Sequence, residues 1–384
     1  MWLILNYKTM ELNYITYQGI PSSTAHGIHT FSLIKYFVKN GLDIKLVFPL
    51  REKSATTELT KLQNHYEINE NFKIEATKHY LPFGRTKFLK KYTYLFSHIL
   101  WSFYISKKYK KNSKDLVFTL SDWVFYFLSK KNINVTYECH DLTLIRKKLI
   151  KKALLFHNSK IICINKFVKE DLGLEESKNV VVLENGFDHE VFSKKIKKES
   201  PIRVLFAGNL ERFGKTRGIE QIIKYFIKIN FSKKVQLHIF GGPTSQVENL
   251  RHKYNHESLF IHGHIKRSEL SREMAISHIG VLTNIESTHS QRHTSPLKFY
   301  EYIGSGLKVL ATDALAHKSL PYQDSLYFFD LNNIDSFKNS INLAIENISK
   351  NEPLNYEKST IDFRVKAIIK FISARPEGLE PSTP

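Results

Sequence analysis

Short runs of β-branched and aromatic residues recur along this chain, each separated from the next by a loop and a segment of helical periodicity. ELNYITY (11–17), DIKLVFP (43–49), DLVFTL (115–120), NVTYECH (134–140), KIICIN (160–165) and KNVVVLENG (178–186) read as strands in the first half. PIRVLFAG (201–208), QLHIFGG (236–242), SLFIHG (258–263), IGVLTN (279–284), KVLAT (308–312) and DSLYFF (324–329) continue the series. Between them, HTFSLIKYF puts Phe31, Ile34, Phe37 and Val38 on one helical face, with Gly41 as the stop. GIEQIIKYFIKI, SELSREMAIS and PLKFYEYIGSG read as later helices, and a basic helix is expected over 145–156. Strands that are apolar throughout must be buried on both faces, and their alternation with helices implies parallel pairing. The expected fold class is α/β: two doubly wound, Rossmann-like parallel-sheet domains facing a cleft, with ligands at the carboxyl ends of the strands.

A chain of 384 residues suffices for two such domains. The charged stretch SKKIKKES (193–200), followed by Pro201, reads as the linker. The expected organisation is an N-terminal domain at 1–195 and a C-terminal domain at 196–345. A helical segment at 346–373 is expected to pack back on the first domain, ahead of a disordered tail at 374–384. MWLILNY is too short to span a bilayer and lacks the parts of a signal peptide; with Met10 following, the first nine residues are expected to be dispensable. Cys139 and Cys163 form neither a disulfide framework nor a zinc site, which points to a reducing compartment. The expectation is a cytoplasmic protein, soluble or peripheral on the inner face of the plasma membrane.

A formal charge of +20 calls for an anionic partner (nucleic acid, membrane surface or phosphorylated substrate) or for a lysine-rich, A/T-biased genome. KFLKKYTYLFSHILWSFYISKKYKK (87–111) has no acidic residue and brackets an apolar middle with lysines; IRKKLIKKALLF follows at 145–156. Such segments suit an anionic membrane interface, and equally a buried domain helix with solvated lysine ends.

Two segments carry chemistry. In FAGNLERFGKTRGIE (206–220), Gly208 at a strand end precedes Asn209, Arg212, Lys215, Arg217 and a helix start. Backbone N–H groups, a helix dipole and these cations make a phosphate cradle, or else a solvated basic loop. In HTSPLKFYEYIGSG (293–306), Ser295 is expected to cap a helix with Pro296 in its first turn and Leu297, Tyr300 and Ile303 or Phe299 facing inward. Lys298 and Glu301 lie three apart, as a surface ion pair or with Glu301 accepting hydrogen bonds from sugar hydroxyls.

The ordered set GIHTFSLIKYFVKNGLDIKLV, YECHD, VVVLENGFDHEVF, LFAGNL…RGIE, LHIFGG, HGHI and SPLKFYEYIGSG resembles the retaining GT-B glycosyltransferases of family 4, the group 1 glycosyltransferases, over residues 10–330. The resemblance implies transfer of a hexose from a nucleoside-diphosphate sugar to a cell-envelope glycan or lipid-linked acceptor, with retention. It places Glu301 on the donor ribose and Arg217 at the family's diphosphate lysine. Asn209 stands where the family has an arginine, a gap that Arg212 or Lys215 fills. Gly263 and Ile265 match positions beside the nucleobase, and Ser295, Pro296 and Leu297 belong to the donor segment. His140 lies beside the reacting centre, so His140, Glu301 and Lys298 are the candidate catalytic residues. His293 occupies the place of the family's donor-sugar glutamate. The loop PSSTAHGIH offers Ser22, Ser23 or Thr24 where the family has glycines, and His29 reads as the start of the following helix.

No Asp-x-Asp and no His/Cys/Asp group with metal-ligand spacing occurs along the chain, so no metal or other cofactor is expected. Two other classes stand beside the enzyme: a catalytically weakened GT-B subunit that binds glycan or partner, motivated by His293 and Asn209, and a nucleic-acid binder. The basic stretches lack nucleic-acid module signatures, so no nucleic-acid partner is expected.

Overall fold

The computed structural model describes residues 10–79, 90–192, 200–212, 214–284, 291–349 and 356–374. Residues 193–199 of the expected linker, the first nine residues, residues 87–89 and the tail from 375 lie outside them. The chain divides into two units, one of Met1–Glu184 with Arg364–Pro384 and one of Asn185–Phe363. The division thus falls after Glu184, before the charged stretch that composition marks out.

Among the described residues the first unit holds seven parallel strands: β1 (Glu11–Ile15), β2 (Asp43–Leu50), β3 (Lys73–Lys78), β4 (Leu116–Thr119), β5 (Asn134–Cys139), β6 (Ser159–Cys163) and β7 (Val180–Val182). Their order is β3-β2-β1-β4-β5-β6-β7. Strands β1, β4, β5 and β6 are almost wholly buried, as parallel strands under helices on both faces must be. The edge strand β3, KIEATK, has no apolar run and was not legible in the sequence; lysines at its exposed positions suit an edge. The helix Ala25–Lys39 is capped by Thr24, whose hydroxyl accepts the Gly27 N–H, so His29 lies inside the helix instead of starting it. Nearly every side chain from Gly27 to Phe37 on it is buried, beyond the single face that the periodicity marks.

The helix Lys90–Lys107 corrects a simple reading of its composition. It buries Ser97, His98, Trp101, Ser102, Ile105 and Ser106, and leaves Tyr92, Phe96, Leu100, Phe103 and Tyr104 exposed. The buried serines permit close approach to the helix Asp122–Ser129, while His98 Nε2 meets Ser121 Oγ at 2.7 Å and Trp101 Nε1 donates to Thr77 Oγ1 at 2.7 Å. Among the described residues no helix is long and apolar enough to cross a membrane.

The helix Ile361–Ser373 buries Val365, Ile368, Ile369 and Ile372, and its last turn is held by Lys160, whose Nζ donates to the carbonyls of Phe371 (2.8 Å) and Ala374 (2.5 Å).

Among its described residues the second unit carries six parallel strands: β8 (Ile202–Ala207), then β11 (Val235–Phe240), β12 (Leu259–Gly263), β13 (Ile279–Leu282), β14 (Lys308–Thr312) and β15 (Leu326–Phe329). A two-stranded hairpin, β9 (Glu211–Arg212) and β10 (Lys215–Thr216), interrupts the sequence order. The sheet runs β12-β11-β8-β13-β14-β15. One core cluster, with Ile222, Ile223, Phe226 and Phe337, covers one side; another, with Phe187, Met274, Phe299 and Tyr302, includes the helix Leu297–Gly304.

Burial lowers the imidazoles of His98 and His317 to about 4, since the charged form loses its hydration. Their folded values lie below the unfolded one, so the unfolded chain takes up more protons as the pH drops below about 6.5. The stability these neutral rings contribute is therefore present at neutral pH and lost on acidification. Melting temperature is expected to fall steadily from pH 7 towards pH 5, each ring costing about 2 kcal/mol at the lower pH. A flat melting temperature across that range would show that these rings are not buried neutral.

Candidate functional site

In the second unit the sheet order reverses between β8 and β13, with β11 and β12 on one side and β14 and β15 on the other. Open α/β sheets bind ligands outside the carboxyl ends of the strands at such a reversal. Arg217 lies across it. Its Nη2 donates to the carbonyl of Thr283, just beyond β13, at 2.7 Å, and its guanidinium stands 5.5 Å from the centre of the Phe206 ring of β8. A Cβ on Gly208 would come within 3.0 Å of Arg217 Nη1, so this glycine makes room for the cation. Thr283 Oγ1 is buried without a hydrogen-bond partner among the described residues.

Glycines let the backbone at this edge pack closely. Gly241, after β11, has φ +143° and packs so closely that a Cβ would lie 1.7 Å from the Gly208 carbonyl oxygen. Its N–H donates to the carbonyl of Gly263, at the end of β12, at 2.7 Å. Three strand ends therefore meet as bare backbone. Asn209 is exposed beside them, and Ile265 is half-buried against the cluster of Phe240 and Met274. Lys215 is exposed on the hairpin, where its backbone pairs with that of Arg212.

The helix Leu297–Gly304 is fixed to the same edge from below. The Tyr302 hydroxyl accepts the Ala207 N–H at 3.0 Å and donates to the Val281 carbonyl at 3.3 Å, tying the helix to β8 and β13 on either side of the reversal. Sequence periodicity marked the helix but not this tyrosine. Pro296, with extended φ and ψ, is the N-cap, so Ser295 does not cap the helix as expected. Its hydroxyl accepts the Asn185 N–H at 3.3 Å instead, and Asn185 Nδ2 donates to the Ser295 carbonyl at 2.7 Å. Phe299, Tyr300, Tyr302 and Ile303 face inward, with Pro296 and Leu297 half-buried.

The Lys298–Glu301 pair is present but is not a surface pair. Glu301 is only 4% exposed, with Oε2 at 2.5 Å from Lys298 Nζ and Oε1 at 3.7 Å from Arg267 Nη2. Arg267 starts the helix Arg267–Ala275 and lies over the Phe192 ring at 5.3 Å. Nothing in HGHIKRSEL singled this arginine out. His293 is buried.

In the first unit, His140 follows β5 and its Nε2 lies 2.6 Å from Glu138 Oε1. His29 Nε2 reaches the same oxygen at 2.5 Å, and Arg364 Nη2 lies 3.1 Å from Glu138 Oε2. The His26 ring is 5.1 Å from that of His140. Burial works against the Glu138 charge, but Arg364 and the two imidazoles outweigh it and hold this carboxyl well below the usual range. Burial also lowers His29, against the pull of Glu138. Spacing along the chain did not show that ligand atoms of His29, Glu138 and His140 converge within 4.8 Å, a geometry that can hold a metal ion. Arg364 already supplies the counter-charge there, which opposes a further divalent cation. The hydroxyls of Ser22 and Thr24 bond each other at 2.9 Å, and Thr24 caps its helix, so local structure engages both.

Residues 201–347 match the family model described as glycosyl transferases group 1. No curated protein matches the chain. Among solved structures, sucrose-phosphate synthase from Thermosynechococcus elongatus is similar at 14% identity, with 94% of this chain and 96% of that one covered and a TM-score of 0.63. The lipopolysaccharide outer core galactosyltransferase WaaB, in its apo form, follows at 13% identity, 94% and 99% coverage and a TM-score of 0.59. The Anabaena protein HepE in complex with UDP and glucose is similar at 15% identity, 96% and 95% coverage and a TM-score of 0.56. These likenesses and the two parallel sheets establish the expected GT-B fold.

Gly241→Ala is expected to destabilise the protein by about 3 kcal/mol, through the clash with Gly208 and the strained backbone. Chemical denaturation measures this; a loss under about 1 kcal/mol would show that the strand ends do not meet so closely.

Proposed function

We propose that this chain is a family 4 glycosyltransferase that moves a hexose from a nucleoside-diphosphate sugar to a cell-envelope glycan or lipid-linked acceptor. It would do so with retention of configuration and with side-chain cations in place of a metal. The observation that carries this reading is Arg217, set across the reversal of strand order within the stretch that matches group 1 glycosyltransferases. The UDP and glucose held by HepE support the donor class, and the lipopolysaccharide outer core on which WaaB acts supports an envelope acceptor.

In the reaction, the bond from the anomeric carbon to the diphosphate oxygen breaks and its electron pair leaves with the diphosphate. A bond forms from the acceptor hydroxyl oxygen, whose proton passes to the departing diphosphate oxygen. Negative charge grows on the diphosphate, where Arg217 stabilises it and Arg212 and Lys215 add positive potential. Gly208, Asn209 and the neighbouring strand ends bring bare backbone close to the phosphates. Glu301 accepts hydrogen bonds from the ribose, held by Lys298 and Arg267. Gly263 and Ile265 adjoin the base, Ser295, Pro296 and Leu297 line the donor, and His140 serves the reacting centre.

A second reading has its own support. Asn209 is exposed and neutral where the family has an arginine, and His293 is buried where it has a glutamate. A chain that holds a nucleotide sugar without turning it over fits both departures.

The first unit suits a peripheral position on the inner face of the plasma membrane. The helices Lys90–Lys107, Asp122–Ser129 and Leu144–Ala153 pack in succession. They expose Tyr92, Phe96, Leu100, Phe103, Leu144 and Ile145, with Lys107, Lys148, Lys151 and Lys152 exposed on the same helices. Apolar side chains among lysines match an anionic lipid interface.

A thermal-shift screen of nucleoside diphosphates and their sugars is expected to find a stabilising donor. Glu301→Ala should weaken that donor by about 10- to 100-fold, as loss of charged hydrogen bonds predicts; an unchanged Kd removes Glu301 from the site. Release or transfer of the sugar supports the enzyme, and binding without either supports the second reading. Replacing Lys107, Lys148, Lys151 and Lys152 with Gln should weaken binding to phosphatidylserine vesicles, at about 1 kcal/mol per lysine. Unaltered vesicle binding would overturn the membrane assignment.

A further inference from the structure

The buried Glu138 carboxylate is shared by three partners that arrive from distant parts of the sequence. His29 comes from the first helix, His140 from the end of β5, and Arg364 from the point where the chain rejoins the first unit. Arg364 does more than neutralise Glu138. Its Nε donates to the Glu184 carbonyl at 2.8 Å and its Nη2 to the Leu183 carbonyl at 3.2 Å, where the chain leaves that unit. Arg364 is 4% exposed, so these contacts form without competition from water. One side chain therefore ties the outgoing segment, the returning helix and the Glu138 carboxylate together.

An ionised carboxylate only accepts hydrogen bonds, so each imidazole nitrogen facing it must carry a proton. With Nε2–H directed at Glu138, a neutral His140 is left with its lone pair on Nδ1. We propose that Glu138 and Arg364 are positioning residues that lock His140 in the Nε2–H tautomer, so that its Nδ1 is a fixed acceptor for a substrate hydroxyl, and that Arg364 makes this lock depend on the docking of the returning C-terminal helix. The role assigned to the hydroxyl rests on the glycosyltransferase reading; the tautomer does not.

Glutamine at position 138 keeps the shape but puts an amide donor beside either an imidazole N–H or the guanidinium. Methionine at 364 leaves Glu138 without its cation, whereas lysine restores the charge without the fork.

The test is long-range proton–nitrogen NMR of the histidine rings in the full-length protein at neutral pH, with the His140 signal identified by its loss in His140→Gln. The expected wild-type spectrum shows His140 with Nε2 protonated and Nδ1 bare. Glu138→Gln and Arg364→Met should give a mixture of tautomers while the far-ultraviolet circular dichroism stays native, and Arg364→Lys should restore much of the single form. A wild-type Nδ1–H tautomer, or an undisturbed Nε2–H form in both Glu138→Gln and Arg364→Met, overturns the proposal. Should Arg364→Met fail to fold, Glu138→Gln alone decides. Adding zinc to the wild-type protein offers a further check: a shift of the His29 and His140 signals at micromolar metal would assign the cluster to a cation and overturn the lock.

With a donor in hand, Glu138→Gln should lower kcat by about 10-fold or more and leave the donor KM nearly unchanged, as loss of a positioning group predicts. A lock seen by NMR without turnover of any sugar donor would count against the glycosyltransferase reading and leave the lock standing.

Discussion

A parallel sheet covered by helices on both faces offers a ligand nothing but the ends of its strands. Both units of this chain place candidate groups at their strand ends. In the second unit, Gly208, Gly241 and Gly263 strip the ends of β8, β11 and β12 to bare backbone, and Arg217 spans the reversal. In the first, His140 is the residue after β5. The Tyr302 hydroxyl, bonded to Ala207 and Val281, shows how firmly the packing beneath such an edge is made.

The two units treat buried carboxylates alike. Glu138 is held by Arg364 and two imidazoles, Glu301 by Lys298 and Arg267. A buried charge survives only when paired and hydrogen-bonded, so each carboxylate is a fixed, oriented acceptor. This matters where the chain departs from the pattern it resembles. Asn209 is neutral and exposed at this edge, and Arg217 is the cation that the structure sets across the reversal. The aromatic, lysine-flanked helices of the first unit follow a different logic: their outward apolar residues are unpaired with core, while serines face inward.

The alternation of apolar runs with helices was enough to determine the α/β class, the parallel pairing and nearly all of the strands, because burial on both faces imposes a composition that can be read locally. It also marked the strand-end glycines, Arg217 and the helix bearing Glu301, since loops that follow parallel strands carry function. Strand β3 escaped because an edge strand need not be apolar. The Ser295 cap failed because Asn185, 110 residues away, takes that hydroxyl. Glu138, Arg267 and Arg364 were invisible for the same reason. A charge in a sequence reads as solvated until the fold brings its partner within about 4 Å, and these pairs are separated by tens to hundreds of residues. The sequence alone determined where sites can be, through local burial and strand ends; only the tertiary structure decided which charges meet there, because pairing of buried charges is a property of distance in space.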